Sequence, residues 1–126
     1  MAVYEKNQSF KLSTNFKVKE FDCKCGKYCK VTVVHPELVE KLQKLRNHFG
    51  KPVIINSGYR CAPHNRNVGG AAASQHLFGK AADIVVKDVS PEEVARVASS
   101  IGFTGIGIYN TFTHVDIRAK KARWRG

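Results

Sequence analysis

The sequence predicts an α+β fold, a small, mostly antiparallel sheet with packed helices in a single domain. Three observations lead there. Two segments carry apolar residues at helical spacing behind a proline start. Short β-rich runs lie before, between and after them. The last two of those runs, Gly105 to Tyr109 and Thr113 to Ile117, flank a turn at Asn110-Thr111, as in an antiparallel hairpin. At 126 residues the chain has the size of one domain.

The elements follow in order. Residues 1–20 are polar with scattered Phe10, Phe16 and Val18, and read as an irregular segment laid on the domain. Residues 21–30 form a cysteine-rich loop, so that 1–30 is a lead-in to a core spanning 31–126. Val31-Thr32-Val33-Val34 is a short strand or an extended lead-in. Pro36 opens a helix through Leu38, Leu42, Leu45 and Phe49, which Gly50 closes. Pro52 to Asn56 is a short apolar strand, and residues 57–75 are a loop rich in Gly, Ala, Ser and Asn. A structureless loop of that length in a small domain points to function. Ala81 to Val86 is a strand. Ser90-Pro91-Glu92-Glu93 has the form of a capping box with proline at the first helical position, and starts a helix that runs to Gly102. Residues 118–126 form a basic tail containing Trp124.

Composition narrows the function. Hydrophobic residues make up 43%, which argues against a disordered chain. No apolar run approaches the roughly 20 residues of a membrane span, and Met1 to Lys11 shows no signal-peptide core. Lys and Arg number 21 against 10 Asp and Glu, a net charge of +11. Such a charge calls for a polyanionic neighbour, either nucleic acid or an anionic cell wall. No nucleic-acid-binding motif accompanies it, so no nucleic-acid partner is expected.

Four cysteines, Cys23, Cys25, Cys29 and Cys61, leave three readings open. Four thiolates satisfy a structural zinc, one or two disulfides suit an oxidising compartment, and buried idle thiols need neither.

The chemistry-bearing residues lie in Ser74-Gln75-His76-Leu77-Phe78-Gly79-Lys80-Ala81-Ala82-Asp83 and in Thr113-His114-Val115-Asp116. His76, Asp83 and His114 offer two imidazoles and a carboxylate, a donor set that zinc accepts while keeping a position for water. Asp83 stands in an otherwise apolar strand, where a lone carboxylate needs a partner. Each of these residues alone has a plainer reading, as a hydrogen-bonded structural histidine or a salt-bridged aspartate. His114 and Asp116, two apart on a strand, share a face. His35, His48 and His64 read as surface or loop residues, with His64 a weak further candidate.

Ser57-Gly58-Tyr59-Arg60, then Ser74-x-His76-x-x-Gly79-x-Ala81-x-Asp83, then His114-Val115-Asp116 resemble the zinc D-alanyl-D-alanine carboxypeptidase family, which includes L-alanyl-D-glutamate endopeptidases of phage lysins. The likeness runs from about Glu37 to Trp124, with Asn15-Phe16 to Glu20-Phe21 matching a lead-in. It implies a zinc metallopeptidase that hydrolyses peptide bonds of peptidoglycan, as a carboxypeptidase or an endopeptidase, with residues 31–126 as the catalytic core. It implies one catalytic zinc held by His76, Asp83 and His114. Arg60 would stabilise the developing oxyanion, and Ser74 and Gln75 would hold the substrate or site. Gly69, Gly70 and Gly79 would permit tight turns.

The chain departs from the family at Thr111, where several relatives carry an acidic general base. Asp116 is then either the base or, preferably, the carboxylate that orients His114. The same departure keeps open a non-catalytic, zinc-containing wall-binding domain. Peptidoglycan stem peptides and anionic wall polymers are the expected partners of a monomer acting at the bacterial wall. Arg118, Lys120, Lys121, Arg123 and Arg125 would leave the sheet beside the site as a wall-capturing tail.

Overall fold

The computed structural model describes residues 2–26 and 29–126, so positions 27 and 28 of the expected cysteine loop lie outside the described residues. The α+β expectation holds. The elements in chain order are β1 (Ala2–Glu5), β2 (Lys11–Ser13), β3 (Phe16–Lys17), a 3-10 turn (Val18–Phe21), β4 (Val31–Val34), α1 (Pro36–Phe49), β5 (Val53–Ser57) and α2 (Ala62–Asn67). A second 3-10 turn (Gln75–Phe78), β6 (Ala81–Val86), α3 (Pro91–Ile101), β7 (Gly105–Ile108), β8 (Thr113–Asp116) and β9 (Ala122–Arg125) complete the chain.

The main sheet has five strands in the order β5-β6-β8-β7-β9. All its pairings are antiparallel except β7 with β9, which run parallel. Strand periodicity gives this sheet two unlike faces. Val53, Ile55, Ala82, Ile84, Val86, Ile106 and Val115 point into the hydrophobic core with Leu38, Leu42 and Leu45 of α1 and Val94, Val97 and Ala98 of α3. The residues between them, Ser57, Asp83, His114, Gly107 and Trp124, form one row across the sheet on the other face. The next row is Ala81, Asp116, Gly105 and Ala122.

The two helices start and stop where the sequence places them. His35 caps α1 by accepting from the Glu37 N–H at 3.3 Å, and Gly50, at φ 61°, closes it in a left-handed turn. Ser90 caps α3 by accepting from the Glu93 N–H at 3.2 Å. Only this half of the expected capping box forms. The Glu93 carboxylate instead takes two hydrogen bonds from Arg96, both at 2.7 Å, since a bidentate charged partner one turn on outcompetes a backbone amide.

Three expectations need correction. Residues 1–20 are not irregular. β1 pairs antiparallel with β4, β2 pairs with β3, and Phe16, Val18 and Phe21 are buried. Gln43 of α1 anchors that hairpin by accepting from Ser13 Oγ at 2.7 Å and from the Asn15 N–H at 2.9 Å. The strands are two to four residues long, too short for a period to show against their polar composition. The 57–75 stretch is not wholly a loop, because it contains α2, with proline in its first turn. The tail does not leave the sheet: it returns as edge strand β9 beside β7.

The core assignment makes a direct prediction. Leu42 is fully buried and Ile54, on the outer side of β5, is 54% exposed. Leu42→Ala should lower unfolding free energy by about 2–5 kcal/mol in a denaturant titration, whereas Ile54→Ala should change it by about 0.5 kcal/mol or less. Equal losses for the two would contradict this placing of the core between α1 and the inner face of the sheet.

Candidate metal centre

Asp83, on β6, lies opposite His114 on the central strand β8 in the antiparallel register. His76 comes from outside the sheet. It sits in the 3-10 turn whose cap is Ser74, where the Ser74 hydroxyl accepts from the His76 N–H at 3.2 Å. Gly79 ends that turn at φ 68°, in the left-handed region that glycine enters without strain. The chain therefore reverses in four residues and enters β6 with His76 beside Asp83.

All three side chains are buried: His76 at 2%, Asp83 at 7% and His114 at 8% exposure. One donor atom from each converges within 4.8 Å of the others. Asp83 Oδ1 is 3.2 Å from His76 Nε2 and 2.9 Å from His114 Nδ1. The opposite ring nitrogens are already committed. His76 Nδ1 is 2.7 Å from the Gly58 carbonyl oxygen, and His114 Nε2 is 2.7 Å from Asp116 Oδ2. Both partners can only accept, so these nitrogens carry the protons in the neutral rings. The lone pairs of His76 Nε2 and His114 Nδ1 then face a carboxylate oxygen. Three acceptors meet without a hydrogen between them, an arrangement that a cation satisfies. Two imidazoles and a carboxylate, each fixed from behind, fit zinc.

The electrostatics agree. Burial alone would raise the Asp83 carboxyl, but hydrogen bonds and charge from His114 and His76 outweigh it and hold the group well below the usual carboxylate range. Burial likewise favours neutral His114, yet Asp116 and Asp83 together raise its pKa. The carboxylates thus draw positive charge to the point where the three acceptors meet, charge that a metal ion would supply.

Asp116 is fully buried. Its Oδ2 faces His114 and accepts from Arg118 Nη2 at 2.6 Å, and its Oδ1 accepts from the Arg118 N–H at 3.1 Å and from Nε at 2.9 Å. Both oxygens are occupied and neither reaches solvent. Burial would raise this carboxyl too, but the bonds from His114 and Arg118 hold it well below its ordinary value. Gly105 makes the room, since a Cβ there would strike the Asp116 carboxylate.

Arg60 is tied in three directions. It donates to Ser57 Oγ at 3.1 Å, to Asn65 Oδ1 at 3.2 Å and to Asp83 Oδ2 at 3.2 Å. The guanidinium therefore orients the carboxylate whose other oxygen faces the histidines. It also lines a cleft of about 500 Å³ with Gln75, His76, Asp83 and His114. Asp83 is the one acidic residue on that lining among the described residues. Thr111 is not on the lining. It sits at the turn, over the far end of β6 and the start of α3. His35 caps α1, His48 is exposed on the same helix, and His64 lies on α2 outside the cleft lining.

The sequence reading missed one wall of the cleft. Tyr109, Phe112, Arg118 and Trp124 all line it. Trp124, on β9, places its ring centroid 5.1 Å from that of His114 and donates from Nε1 to Tyr109 Oη at 2.9 Å. The Tyr109 and Phe112 rings stack at 4.4 Å, and the Arg118 guanidinium lies 4.9 Å from the Trp124 ring centre. Gly107 leaves the space, because a Cβ there would run into the indole. The signal was present in the Gly-x-Gly of β7 and the lone tryptophan downstream, but only the parallel pairing of β9 joins them.

Comparison with known proteins gives the chain its family. A zinc D-Ala-D-Ala carboxypeptidase of Streptomyces albus G is 40% identical over 81 residues, covering 60% of this chain and 32% of that protein. The peptidoglycan L,D-endopeptidase MepK of Escherichia coli K12 is 31% identical over 96 residues, covering 69% of this chain and 53% of that protein. The chain thus spans about a third to a half of these curated relatives. The family profile described as Peptidase M15 matches residues 14–116, a span that includes β3, Arg60, His76, Asp83 and His114, and the chain belongs to that family.

Proposed function

We propose that the protein is a zinc-dependent peptidase that hydrolyses peptide bonds in bacterial cell-wall peptidoglycan. The observation that carries this reading is the convergence of His76 Nε2, Asp83 Oδ1 and His114 Nδ1 at the floor of a cleft, with each ligand held from behind. Membership of Peptidase M15 supports it, as do relatives named as a zinc D-Ala-D-Ala carboxypeptidase and a peptidoglycan L,D-endopeptidase.

His76, Asp83 and His114 would hold the ion. Zinc in such a site polarises a carbonyl and makes water acidic near neutral pH. The chain's own residues do the rest. Gly58 and Asp116 fix the two imidazole tautomers, so their lone pairs point inward before any ligand arrives. Asp116 is thus a positioning residue, because both its oxygens are engaged and shielded. Arg60 sets the Asp83 carboxylate and brings positive charge to the cleft wall, where it can stabilise the oxyanion that develops as the peptide carbonyl is attacked. Ser74 acts through His76, whose turn it caps, and Gln75 lines the cleft. The Tyr109, Phe112 and Trp124 rings shield one side from water, which strengthens every charge interaction within. Arg60 and Arg118 suit an anionic peptide such as a stem peptide.

The charge of +11 supports action at an anionic wall. Its distribution differs from a free basic tail. Arg118 is bound to Asp116, Arg123 donates to the Thr104 and Phe103 carbonyls, and Arg125 pairs with Glu92 at 3.5 Å. Lys120 and Lys121 remain exposed at the turn into β9. The capture surface is therefore the folded body with this turn. No helix of the described residues is long and apolar enough to cross a membrane.

Two tests follow. Purified peptidoglycan incubated with the zinc-loaded protein should release peptide fragments identifiable by mass spectrometry. His76→Ala should reduce that release by at least about a thousandfold, the order expected when the principal charge-stabilising group is lost. Wild-type release by His76→Ala would refute the assignment. Added salt should slow hydrolysis of whole walls more steeply than hydrolysis of a small soluble peptide, because long-range attraction is screened. Equal salt sensitivity would remove the role given to the surface charge.

A further inference from the structure

The chain brings a second set of potential ligands together outside the cleft. Cys23, Cys25 and Cys29 follow the first 3-10 turn, and Cys61 is the cap of α2. All four sulfurs lie within 4.8 Å of one another. Cys23 Sγ is 3.6 Å from Cys61 Sγ, and Cys25 Sγ is 3.5 Å from Cys29 Sγ. A disulfide needs about 2.05 Å. A tetrahedron of sulfurs around zinc, at about 2.3 Å from metal to sulfur, has edges of about 3.8 Å. The observed separations match the second figure. We infer that Cys23, Cys25, Cys29 and Cys61 form a structural zinc site, a tetrathiolate distinct from the His76–Asp83–His114 centre.

The surroundings suit a thiolate cluster. Zinc binding releases the four thiol protons and leaves the site with two negative charges. Lys6 Nζ lies 3.7 Å from Cys25 Sγ, and the Cys61 N–H donates to Cys23 Sγ at 3.3 Å, so a cation and an amide both point at sulfur. None of the four cysteines lines the cleft, and a closed set of four sulfurs leaves no position for substrate. The role is therefore structural.

The site would brace the catalytic centre through the backbone. Cys61 directly follows Arg60. Two residues earlier, the Tyr59 N–H donates to the Phe21 carbonyl at 2.9 Å, and Gly58 packs so tightly on the Phe21 backbone that a Cβ would not fit. Gly58 in turn accepts from His76 Nδ1. A metal tying Cys23, Cys25 and Cys29 to Cys61 would clamp the lead-in against the segment that holds both Arg60 and His76. The lead-in itself sends only Phe16 and Phe21 into the main core, with Val18 buried beside them, which leaves work for such a clamp.

Metal content tests this independently of the peptidase reading. A His76→Ala/His114→Ala double variant, purified under reducing conditions, should still carry one zinc per chain by elemental analysis. A thiol-specific mercurial should release that zinc. Replacing it with cobalt should produce the intense thiolate-to-cobalt absorption of a tetrahedral sulfur site. Cys25→Ser/Cys29→Ser in an otherwise unaltered chain should lose one zinc of two and melt at lower temperature. Should that variant fail to fold, the cobalt spectrum of the histidine variant decides alone. A histidine variant without zinc or thiolate absorption, an ion other than zinc at the cysteines, or an intact mass lighter by two hydrogens per disulfide after non-reducing purification would each overturn the inference.

Discussion

The structure depends on one constraint: a buried carboxylate oxygen of Asp83 faces one nitrogen of each of two imidazoles, and in the neutral rings no hydrogen lies between them. Gly58 and Asp116 have already claimed the ring N–H groups. Without a cation, that arrangement would cost free energy, because buried acceptors facing one another lose the hydrogen bonds they had in water. With a cation it becomes a preformed site. The supporting residues make sense on that basis. Arg60 neutralises the outer oxygen of Asp83, Arg118 neutralises Asp116, and Ser74 sets the turn that delivers His76.

The sheet provides the rigidity. Its helix-covered face is filled by valine, isoleucine and leucine, which ties β5, β6, β7 and β8 into one core. The opposite face carries the polar row, so Asp83 and His114 are held at a spacing fixed by the β6–β8 ladder rather than by a loop. Glycine has a particular job on β7. Ile106 and Ile108 face the core, while Gly105 and Gly107 leave space on the other side for the Asp116 carboxylate and the Trp124 indole. A strand of alternating isoleucine and glycine thus serves packing with one face and the site with the other. The lead-in and α2 add a further layer, joined at the cysteine cluster, that fixes the Ser57–Arg60 segment against His76.

Much of this was legible beforehand. The β6 strand was readable because its apolar run is broken by a single aspartate, and the same anomaly marked Asp83 as needing a partner. The α1 and α3 boundaries were readable because Pro36, Gly50, Ser90 and Gly102 act locally, through backbone geometry and caps. His76, Asp83 and His114 are singled out as ligands by resemblance, since spacing alone does not separate ligands from hydrogen-bonded structural histidines. The aromatic wall was hidden because β9 pairs in parallel across a non-local register, which no short-range pattern records. For the same reason the arginines of the tail read as a free basic arm, although Arg118, Arg123 and Arg125 each have partners in the fold. Burial was equally invisible: only the fold shows that Asp116 is enclosed, with both oxygens used, and that Thr111 stands off the cleft lining.

The central claim is that His76, Asp83 and His114 bind one metal ion through Nε2, a carboxylate oxygen and Nδ1. Anomalous diffraction at the zinc edge, from crystals grown with zinc, addresses it most directly. The account predicts a strong peak bonded to His76 Nε2, His114 Nδ1 and Asp83, at about 2.0–2.2 Å from each, with the Gly58 and Asp116 hydrogen bonds to the rings intact. No peak at that point in zinc-saturated crystals, or a peak reached only after His114 breaks from Asp116 and turns over, would contradict it.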